Sequence, residues 1–320
     1  MSNATKNTYS SVSLERERFV VMSMSKGRIS GLESKELVHP FHLISFQNDA
    51  RDLEVHRDTL ENLIQKSGIA GHEVGVVIGE HMVQLKKIPV AMGLDAVELK
   101  DQMMWEAEQV LLSPVKDFRM FYQRLPSKTQ NGNPYYLQIL IRKNVLKSIH
   151  ALVESAGIFL HEVEVDIFSS LRALQMNYSF NSEDIITMLH VQESGLLFTI
   201  IHQGDYFLSH RVALPRVETI TTSDLKELII KELRRLVFGH RLGQDIGDLK
   251  KLYVLGNGPV DDLIKSMSAG FPVPAEKMNP LKRIRIAPEL RESQEVLRNS
   301  NRYAATIGLL LKNHPKLVKA

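Results

Sequence analysis

The stretch at residues 185–212, IITMLHVQESGLLFTIIHQGDYFLSHRV, decides the fold. It contains three runs that are rich in β-branched and aromatic residues. Two short polar segments, 192–195 and 202–205, separate these runs, and each contains a glycine. Runs joined in this way are typical of antiparallel hairpins. The stretch therefore predicts three consecutive strands, at residues 185–191, 196–201 and 206–212.

A helix and a short strand are predicted after these three strands. Residues 223–240 have amphipathic spacing, and Asp224 and Glu227 lie in the first turn, where the positive end of a helix dipole favours acids. Residues 252–255 are apolar and end in Gly256-Asn257-Gly258, which is typical of a buried strand followed by a turn. The predicted order is three strands, a helix and a strand.

The same order is predicted in the N-terminal half, about 170 residues earlier. Three strands are expected at 17–24, 28–33 and 37–46, followed by a helix that ends at Gly68 and a buried strand at 73–78. A repeat of this length indicates a duplicated unit. We therefore predict an α/β protein of the actin-like class, with two ribonuclease-H-like halves.

A further segment, residues 81–166, separates the two repeats. Its pattern predicts the order β-α-β-β-α-β, with a capping box at Asp95 and Glu98 and a second helix capped by Asn144. We interpret it as a subdomain inserted into the first half. The predicted organisation is 1–13 as a disordered N-terminus or tag remnant, 14–80 as the first core half, 81–166 as the inserted subdomain, 167–182 as the return to the first half, 183–300 as the second half, and 301–320 as a closing helix and tail.

Composition excludes several classes of protein. The 320 residues include no cysteine, so there is no disulfide framework, thiolate metal site or cysteine nucleophile. No apolar run approaches the roughly 18 residues that span a bilayer, and the N-terminus lacks the order of a signal peptide. The net charge is only +3, and the basic residues are interleaved with acidic ones along the chain, which argues against nucleic-acid binding. We expect a cytoplasmic protein.

Several short sequence words occur in the order found in one known family. They are KIPVAM at 87–92, WEAEQ at 105–109, AGI at 156–158, LRAL at 171–174 and YAATIGLL at 303–310. In order and spacing they resemble the PilM family of type IV pilus assembly proteins, which is similar to the cell-division protein FtsA. The resemblance implies an actin-like protein, peripheral to the inner membrane through its partner. That partner would be the N-terminal cytoplasmic peptide of a PilN-like single-span membrane protein, and contact with the pilus motor ATPases is also implied.

The resemblance also implies a partner groove and a nucleotide site. The groove would lie between the inserted and first core subdomains, near Leu85, Ile88, Pro89 and Trp105. Trp105 has core packing as an equal alternative. An extended apolar peptide would bury alternate side chains there and pair its backbone with a strand edge.

The two phosphate turns of the family, each with an Asp-Ile-Gly word, are changed in this chain. We match the first to residues 22–27, MSMSKG, and the second to residues 190–195, HVQESG. Met22 and His190 then stand where Asp would hold Mg²⁺. We therefore expect a pseudo-ATPase with no catalytic residue, no metal and no obligatory cofactor. Residual contacts to ATP are assigned to Lys26 and the turn Gly256-Asn257-Gly258.

Three alternatives remain open. An actin-like ATPase or phosphotransferase could operate with unusual loops, and an FtsA-like protein could polymerise on membranes in a nucleotide-dependent way. The cytoplasmic domain of the type II secretion L protein is related, and a secretion platform would suit the same features. Separately, the alternating acids Glu162, Glu164 and Asp166 could ligate a cation, although a solvated strand face is the simpler expectation.

Overall fold

The structure is a computed structural model that describes residues 9–42, 50–129, 131–268, 270–314 and 317–318. The expectations for residues 1–8, and for 315, 316, 319 and 320 of the tail, lie outside it. The chain forms two compact units. The first contains residues Met1–Arg172, Ile284–Ser293 and Ala305–Ala320, and the second contains Ala173–Arg283 and Gln294–Ala304. Within the described ranges, no helix combines the length and apolarity needed to cross a membrane.

Strands and helices succeed one another along the chain. The first unit begins with β1 (Ser10–Leu14), β2 (Arg18–Ser25), β3 (Arg28–Glu36), α1 (Ala50–Ser67), β4 (Glu73–Ile78), β5 (Val83–Pro89), α2 (Ala96–Glu108), β6 (Phe118–Lys128), β7 (Pro134–Arg142), α3 (Lys143–Ser155) and β8 (Phe159–Val165). Next come α4 (Asp166–Asn177), β9 (Ile186–Gln192), β10 (Gly195–His202), β11 (Asp205–Ala213), α5 (Thr222–Gly239), β12 (Lys251–Gly256), α6 (Val260–Met267) and β13 (Ala275–Lys277). The last helices are α7 (Pro288–Glu292), α8 (Gln294–Arg298) and α9 (Ala304–Asn313).

The main sheet of the first unit has the strand order β3-β2-β1-β4-β8. Its centre is β1, which pairs antiparallel with β2 and parallel with β4. On one face, Val12 and Leu14 join residues of α1 and α3 in a single apolar core. Burial of this face drives the packing of α1 and α3, since apolar surface removed from water stabilises by about 25 cal/mol per Å².

The opposite face of this sheet is covered by α9. The Ser11 hydroxyl donates to the Thr306 carbonyl oxygen at 3.0 Å, and Val77 packs against Ala305 and Leu309. Gly308 allows the backbone of α9 to approach Ser169 of α4 closely, because any Cβ there would overlap the Ser169 carbonyl group. The end of the chain is therefore fixed to its beginning.

The main sheet of the second unit has the corresponding order β11-β10-β9-β12-β13. Residues of α5 and α6 pack on one of its faces, against Leu189 and Val191 of β9. The predicted three strands at 185–212, the helix and the following strand are all present within one or two residues of their predicted limits. The duplicated architecture inferred from the sequence is confirmed.

The repeat also locates the insertion. In the second unit β12 is followed by α6 and β13, and in the first unit β4 is followed, after the insertion, by α3 and β8. Because β8 pairs with β4, α3 and β8 belong to the duplicated core. The order β-α-β-β-α-β is as predicted, but only its first part, β5-α2-β6-β7, forms a separate three-stranded sheet of order β5-β7-β6.

The first predicted strands require correction. Residues 37–42 form no strand, and 43–46 lie outside the described residues. The third strand of the sheet is instead β1, whose residues the sequence suggested were part of a disordered N-terminus. The reason is its three serines, Ser10, Ser11 and Ser13, which have a polar composition but are buried between neighbouring strands and beneath α9. Low hydropathy did not mean exposure here.

The helix ends agree with most of the predicted signals. Asp95 accepts from the Val97 and Glu98 backbone N–H groups, while the Glu98 carboxylate accepts from the Asp95 N–H, so the capping box is confirmed. The second helix begins at Lys143, so Asn144 is inside its first turn and is not the cap.

The close contact at Gly308 yields a prediction about stability. Gly308→Ala would force α9 away from Ser169, and overpacking of this kind costs about 1–3 kcal/mol. The matched control is Gly239→Ala at the end of α5, where a Cβ meets no atom within 4 Å. Urea unfolding should show a lower midpoint for Gly308→Ala and an unchanged or higher one for the control. Equal midpoints would mean that the α4–α9 contact is not tight.

Candidate functional site

The sequence pattern assigns the first phosphate turn to residues 22–27, but the structure places the corresponding turn one hairpin earlier, between β1 and β2. Residues 22–27 span the end of β2 and its turn into β3, whereas the turn that corresponds to β9–β10 is the one between β1 and β2. The assignment of Met22 to the missing Asp is therefore wrong. Lys26 lies at the β2–β3 turn, on the sheet edge, with a left-handed backbone.

When β1 is compared with β9, the residues on the strand faces opposite the apolar cores still include no carboxylate. In β9, His190 lies on the face opposite to the core residues Leu189 and Val191. The residues of β1 with the same orientation are Ser11 and Ser13. The turns themselves contain Glu15, Glu17 and Glu193, of which Glu15 pairs with Arg18 at 2.8 Å and Glu193 with Arg216 at 3.7 Å. Within the described ranges, no group of three or more His, Asp or Glu residues could hold a metal ion.

The glycines of the turn after β12 have a packing role. The N–H groups of Asn257 and Gly258 both donate to the Val191 carbonyl oxygen, at 3.0 and 3.3 Å. Gly256 has φ +114°, and a Cβ there would overlap the same carbonyl oxygen. The Gly256 carbonyl accepts from the Asn301 amide at 2.9 Å. These donors fix the turn to β9, and the assignment of Gly256, Asn257 and Gly258 to a nucleotide stays a prediction.

Glu162 and Glu164 of β8 bind groups of the chain, and Asp166 lies beyond the strand, at the start of α4. Glu162 accepts from the Tyr9 hydroxyl and the Lys312 ammonium at 2.6 Å, and from the Asn313 amide at 2.5 Å. Glu164 accepts from both terminal nitrogens of Arg172, at 2.6 and 2.8 Å. The two carboxylates therefore bind elements of their own unit, and the expectation of solvation is wrong.

The inserted sheet has one covered and one open face. On the covered face, Gln138 is fully buried and donates to the Met103 carbonyl of α2 at 2.6 Å. Strand alternation and the register of β5, β7 and β6 place a second set of side chains on the other face. We call this the open face, and its accessible apolar part is formed by Leu85, Phe121, Tyr135 and Ile139, beside Lys87. The same face also contains Gln123 and the buried Leu137.

The open face is apolar and accessible. Leu85, Ile139 and Phe121 form one row across the three strands, in which Phe121 is 57% exposed and the other two are half-buried. The next residues of the same face, Val83 and Ile141, belong to the core of the first unit or pack against it. The open face thus borders the apolar core of the first unit, and a groove between the inserted and core subdomains stays a prediction.

The strand β5 also has a free edge. Among the described residues, β5 pairs with β7 alone. Lys86 binds Glu106 at 2.6 Å, and Lys87 lies over the Tyr135 ring at 4.2 Å. Burial lowers the pKa of Lys87 to about 8. Lysines on an edge strand oppose edge-to-edge aggregation, so Lys86 and Lys87 protect the free edge from aggregation.

The four residues predicted for the partner groove do not share one surface. Leu85 lies on the open face, and the exposed Pro89 follows it at the end of the same strand. Ile88 is fully buried beneath α2 with Met103, and Trp105 is 56% exposed on α2. Sequence reasoning missed Phe121 and Ile139, although the alternation in β6 and β7 could have placed them opposite Leu85.

Comparison with known proteins decides the family. The model of the family described as "Type IV pilus assembly protein PilM" matches residues 36–213, more than half of the chain. The chain belongs to the PilM family of type IV pilus assembly proteins. The matched residues include all of the inserted sheet and the first three strands of the second unit. No protein with a curated description matches the sequence.

Three solved structures are similar to this PilM-family chain, and the one with a TM-score of 0.75 supports its fold. The structure named "PilM-PilN type IV pilus biogenesis complex" has 15% identity and a TM-score of 0.75, with 95% of this chain and 98% of that chain covered. A Bacteroides thetaiotaomicron protein with an actin-like ATPase fold and unknown function has 12% identity, a TM-score of 0.49 and coverage of 88% and 95%. The cytoplasmic domain of EpsL, from the Vibrio cholerae type II secretion system, has 12% identity, a TM-score of 0.47 and coverage of 86% and 98%. The predicted actin-like fold is confirmed.

The contacts of Glu162 predict an acid-sensitive anchor for α9. Burial raises the pKa of this carboxyl, but the hydrogen bonds from Lys312, Tyr9 and Asn313 outweigh it and hold the pKa below its ordinary value. A lowered folded pKa stabilises the protein at neutral pH, and the contribution is lost as the pH falls through the folded pKa. Glu162→Gln should cost about 1–2 kcal/mol at pH 7 and less at an acidic pH at which the carboxyl is protonated in the folded protein.

Denaturant unfolding at the two pH values checks this expectation. The control is Glu227→Gln, an exposed carboxylate on α5 that loses the same charge. A cost for Glu162→Gln that is equal at both pH values would contradict the assignment.

Proposed function

We propose that this chain is a non-catalytic scaffold of the type IV pilus inner-membrane assembly platform. Its ligand is the N-terminal cytoplasmic peptide of a PilN-like single-span membrane protein. The observation that carries the proposal is the apolar open face beside the free edge of β5. A scaffold of this kind is cytoplasmic and reaches the inner membrane through that partner, and it would place the motor ATPases near the pilus machinery.

The geometry of the open face suits an extended peptide. A strand added at the β5 edge would satisfy backbone N–H and C=O groups that otherwise bind water. Alternate peptide side chains would then lie beside Leu85 and extend toward Ile139, whereas Phe121 is on β6, about 14 Å from the added strand. Apolar residues fit this position, because burying a large apolar side chain completely contributes about 1.5–3 kcal/mol. Lys87, beside the row, would favour an acidic residue at one position of the peptide.

Family membership and one solved complex support the same partner. The family acts in type IV pilus assembly by its description, and the structure with a TM-score of 0.75 is named as a complex of PilM with PilN. The open face provides a physical reason why a chain of this family would bind a peptide.

The absence of catalysis is proposed on the residues of the two phosphate turns. Phosphoryl transfer needs a metal ion and donors that neutralise developing charge. On the strand faces concerned, this chain has Ser11, Ser13 and His190. The N–H groups of Asn257 and Gly258 already bind Val191.

Peptide binding tests the proposal directly. The probe is a synthetic peptide with the N-terminal cytoplasmic sequence of the single-span protein encoded beside this chain, measured by calorimetry. Leu85→Ser should weaken binding about tenfold or more, since about 1.4 kcal/mol corresponds to a factor of ten. The control is Leu112→Ser, the same substitution at a fully exposed position between α2 and β6. Trp105→Ala should leave the affinity within about twofold. Equal losses for Leu85→Ser and Leu112→Ser would contradict the proposed face.

Turnover of ATP tests the non-catalytic assignment. Purified chain incubated with ATP and Mg²⁺ should release no phosphate above the level of a sample lacking protein, with and without the peptide. Enzymes that transfer phosphoryl groups typically turn over at about 1–100 per second. A rate in that range that His190→Ala abolishes would establish the alternative, an actin-like ATPase. A substitution of Gly256 is unsuitable for this test, because its positive φ and its contact with Val191 make misfolding the expected result.

A further inference from the structure

A basic cavity lies at the β3 edge of the first sheet, away from the inserted sheet. Its volume is about 380 Å³, many times the space that one water molecule needs. It is lined by Lys26, Gly27, Arg28, Arg285, Ile286 and Arg291. All of these residues belong to the first unit.

Two of the four cations are held side by side by the backbone. Ile29 of β3 and Ile286 form a parallel bridge, in which the Ile29 N–H donates to the Arg285 carbonyl at 3.0 Å. Both isoleucines are buried, so the residues that precede them, Arg28 and Arg285, point to the opposite face. Neighbouring strands lie about 4.8 Å apart, and like charges directly opposite one another are destabilising.

The other two cations reach the cavity from its sides. Lys26 lies in the two-residue turn between β2 and β3, where Lys26 has φ 50° and Gly27 has φ 69°. Such turns favour Asn-Gly, and a lysine in the left-handed region is uncommon. Arg291 extends from α7, whose first turn is fixed when the Ala287 N–H donates to the Ile29 carbonyl at 2.8 Å. The same strand edge thus positions three of the four side chains.

All four cationic residues are exposed, and no acid of the described chain neutralises them. Carboxylates pair with basic side chains elsewhere in the first unit, as Glu164 does with Arg172. Among the residues that the structure describes, no ion pair or hydrogen bond joins Lys26, Arg28, Arg285 or Arg291 to a carboxylate. This holds although α7 also contains Glu289 and Glu292. Four positive charges around one cavity are stabilised by a multivalent anion, and the guanidinium group matches two phosphate oxygens at once.

We propose that this cavity binds a phosphate-bearing anion. Arg28 and Arg285 bind the phosphate oxygens as a pair, and Lys26 and Arg291 supply the remaining positive charge at the sides. The phosphate can belong to a soluble compound or to the headgroup of an anionic lipid. The site is separate from the open face and does not depend on the partner peptide.

Two arms of one experiment distinguish the sources. Calorimetry with inorganic pyrophosphate tests a soluble phosphate compound. Flotation with vesicles of phosphatidylglycerol and phosphatidylcholine, compared with phosphatidylcholine alone, tests the headgroup. We expect binding in at least one arm, with an affinity that falls as the salt concentration rises from about 50 to about 200 mM, because salt screens the attraction between exposed charges.

Substitutions assign the binding to the cavity. Arg28→Gln/Arg285→Gln should weaken it at least tenfold, and Lys26→Gln/Arg291→Gln, which leaves the strand bridge untouched, should weaken it about as much. The control Lys100→Gln/Arg234→Gln removes the same charge from exposed positions elsewhere and should change it less than twofold. Absence of binding in both arms overturns the proposal, and so does an equal loss in the control and the cavity variants.

Discussion

The pairing of β1 with β4 is the contact on which the rest of the first unit depends. The strand β1 is only five residues long, yet it joins β2 on one side and β4 on the other and has a helical layer on each face. Its apolar residues complete the core beneath α1 and α3, and Ser11 and Ser13 lie on the face that α9 covers. Without β1, the hairpin of β2 and β3 would not be joined to β4, and α9 would keep its contact with Val77 of β4 but lose the hydrogen bond from Ser11.

Sequence patterns predicted the second unit better than the first. The strands β9 to β11 alternate large apolar residues with glycine-containing turns, so their period and limits are visible in the sequence. The serines of β1 hide the first strand, because the hydrogen bond of Ser11 to Thr306 connects positions that are far apart in the sequence. Missing that strand shifted the assignment of the first phosphate turn by one hairpin, and Met22 was compared with the wrong position.

The sequence predicted that the candidate site lies on the inserted sheet, but not which face of that sheet forms it. The family words located the inserted sheet, and Leu85 does lie on its open face. Ile88 is three residues further along the same strand and points to the other side, because strands alternate with a period of two. The distinction depends on which face α2 covers, and a single sequence does not reveal that. The basic cavity was equally hidden, since its residues come from segments about 250 positions apart.

The position of α9 has a consequence for the order in which the chain folds. The second unit is built largely from the continuous segment Ala173–Arg283 and can complete its sheet while synthesis continues. The first unit cannot, because the Ser11 and Thr306 partners are separated by 295 positions. At about 5–20 residues per second, translation needs on the order of 15–60 s to bridge that gap. During this interval α9 cannot cover its face of β1 and β4, and exposed surface of this kind makes a nascent chain prone to aggregate.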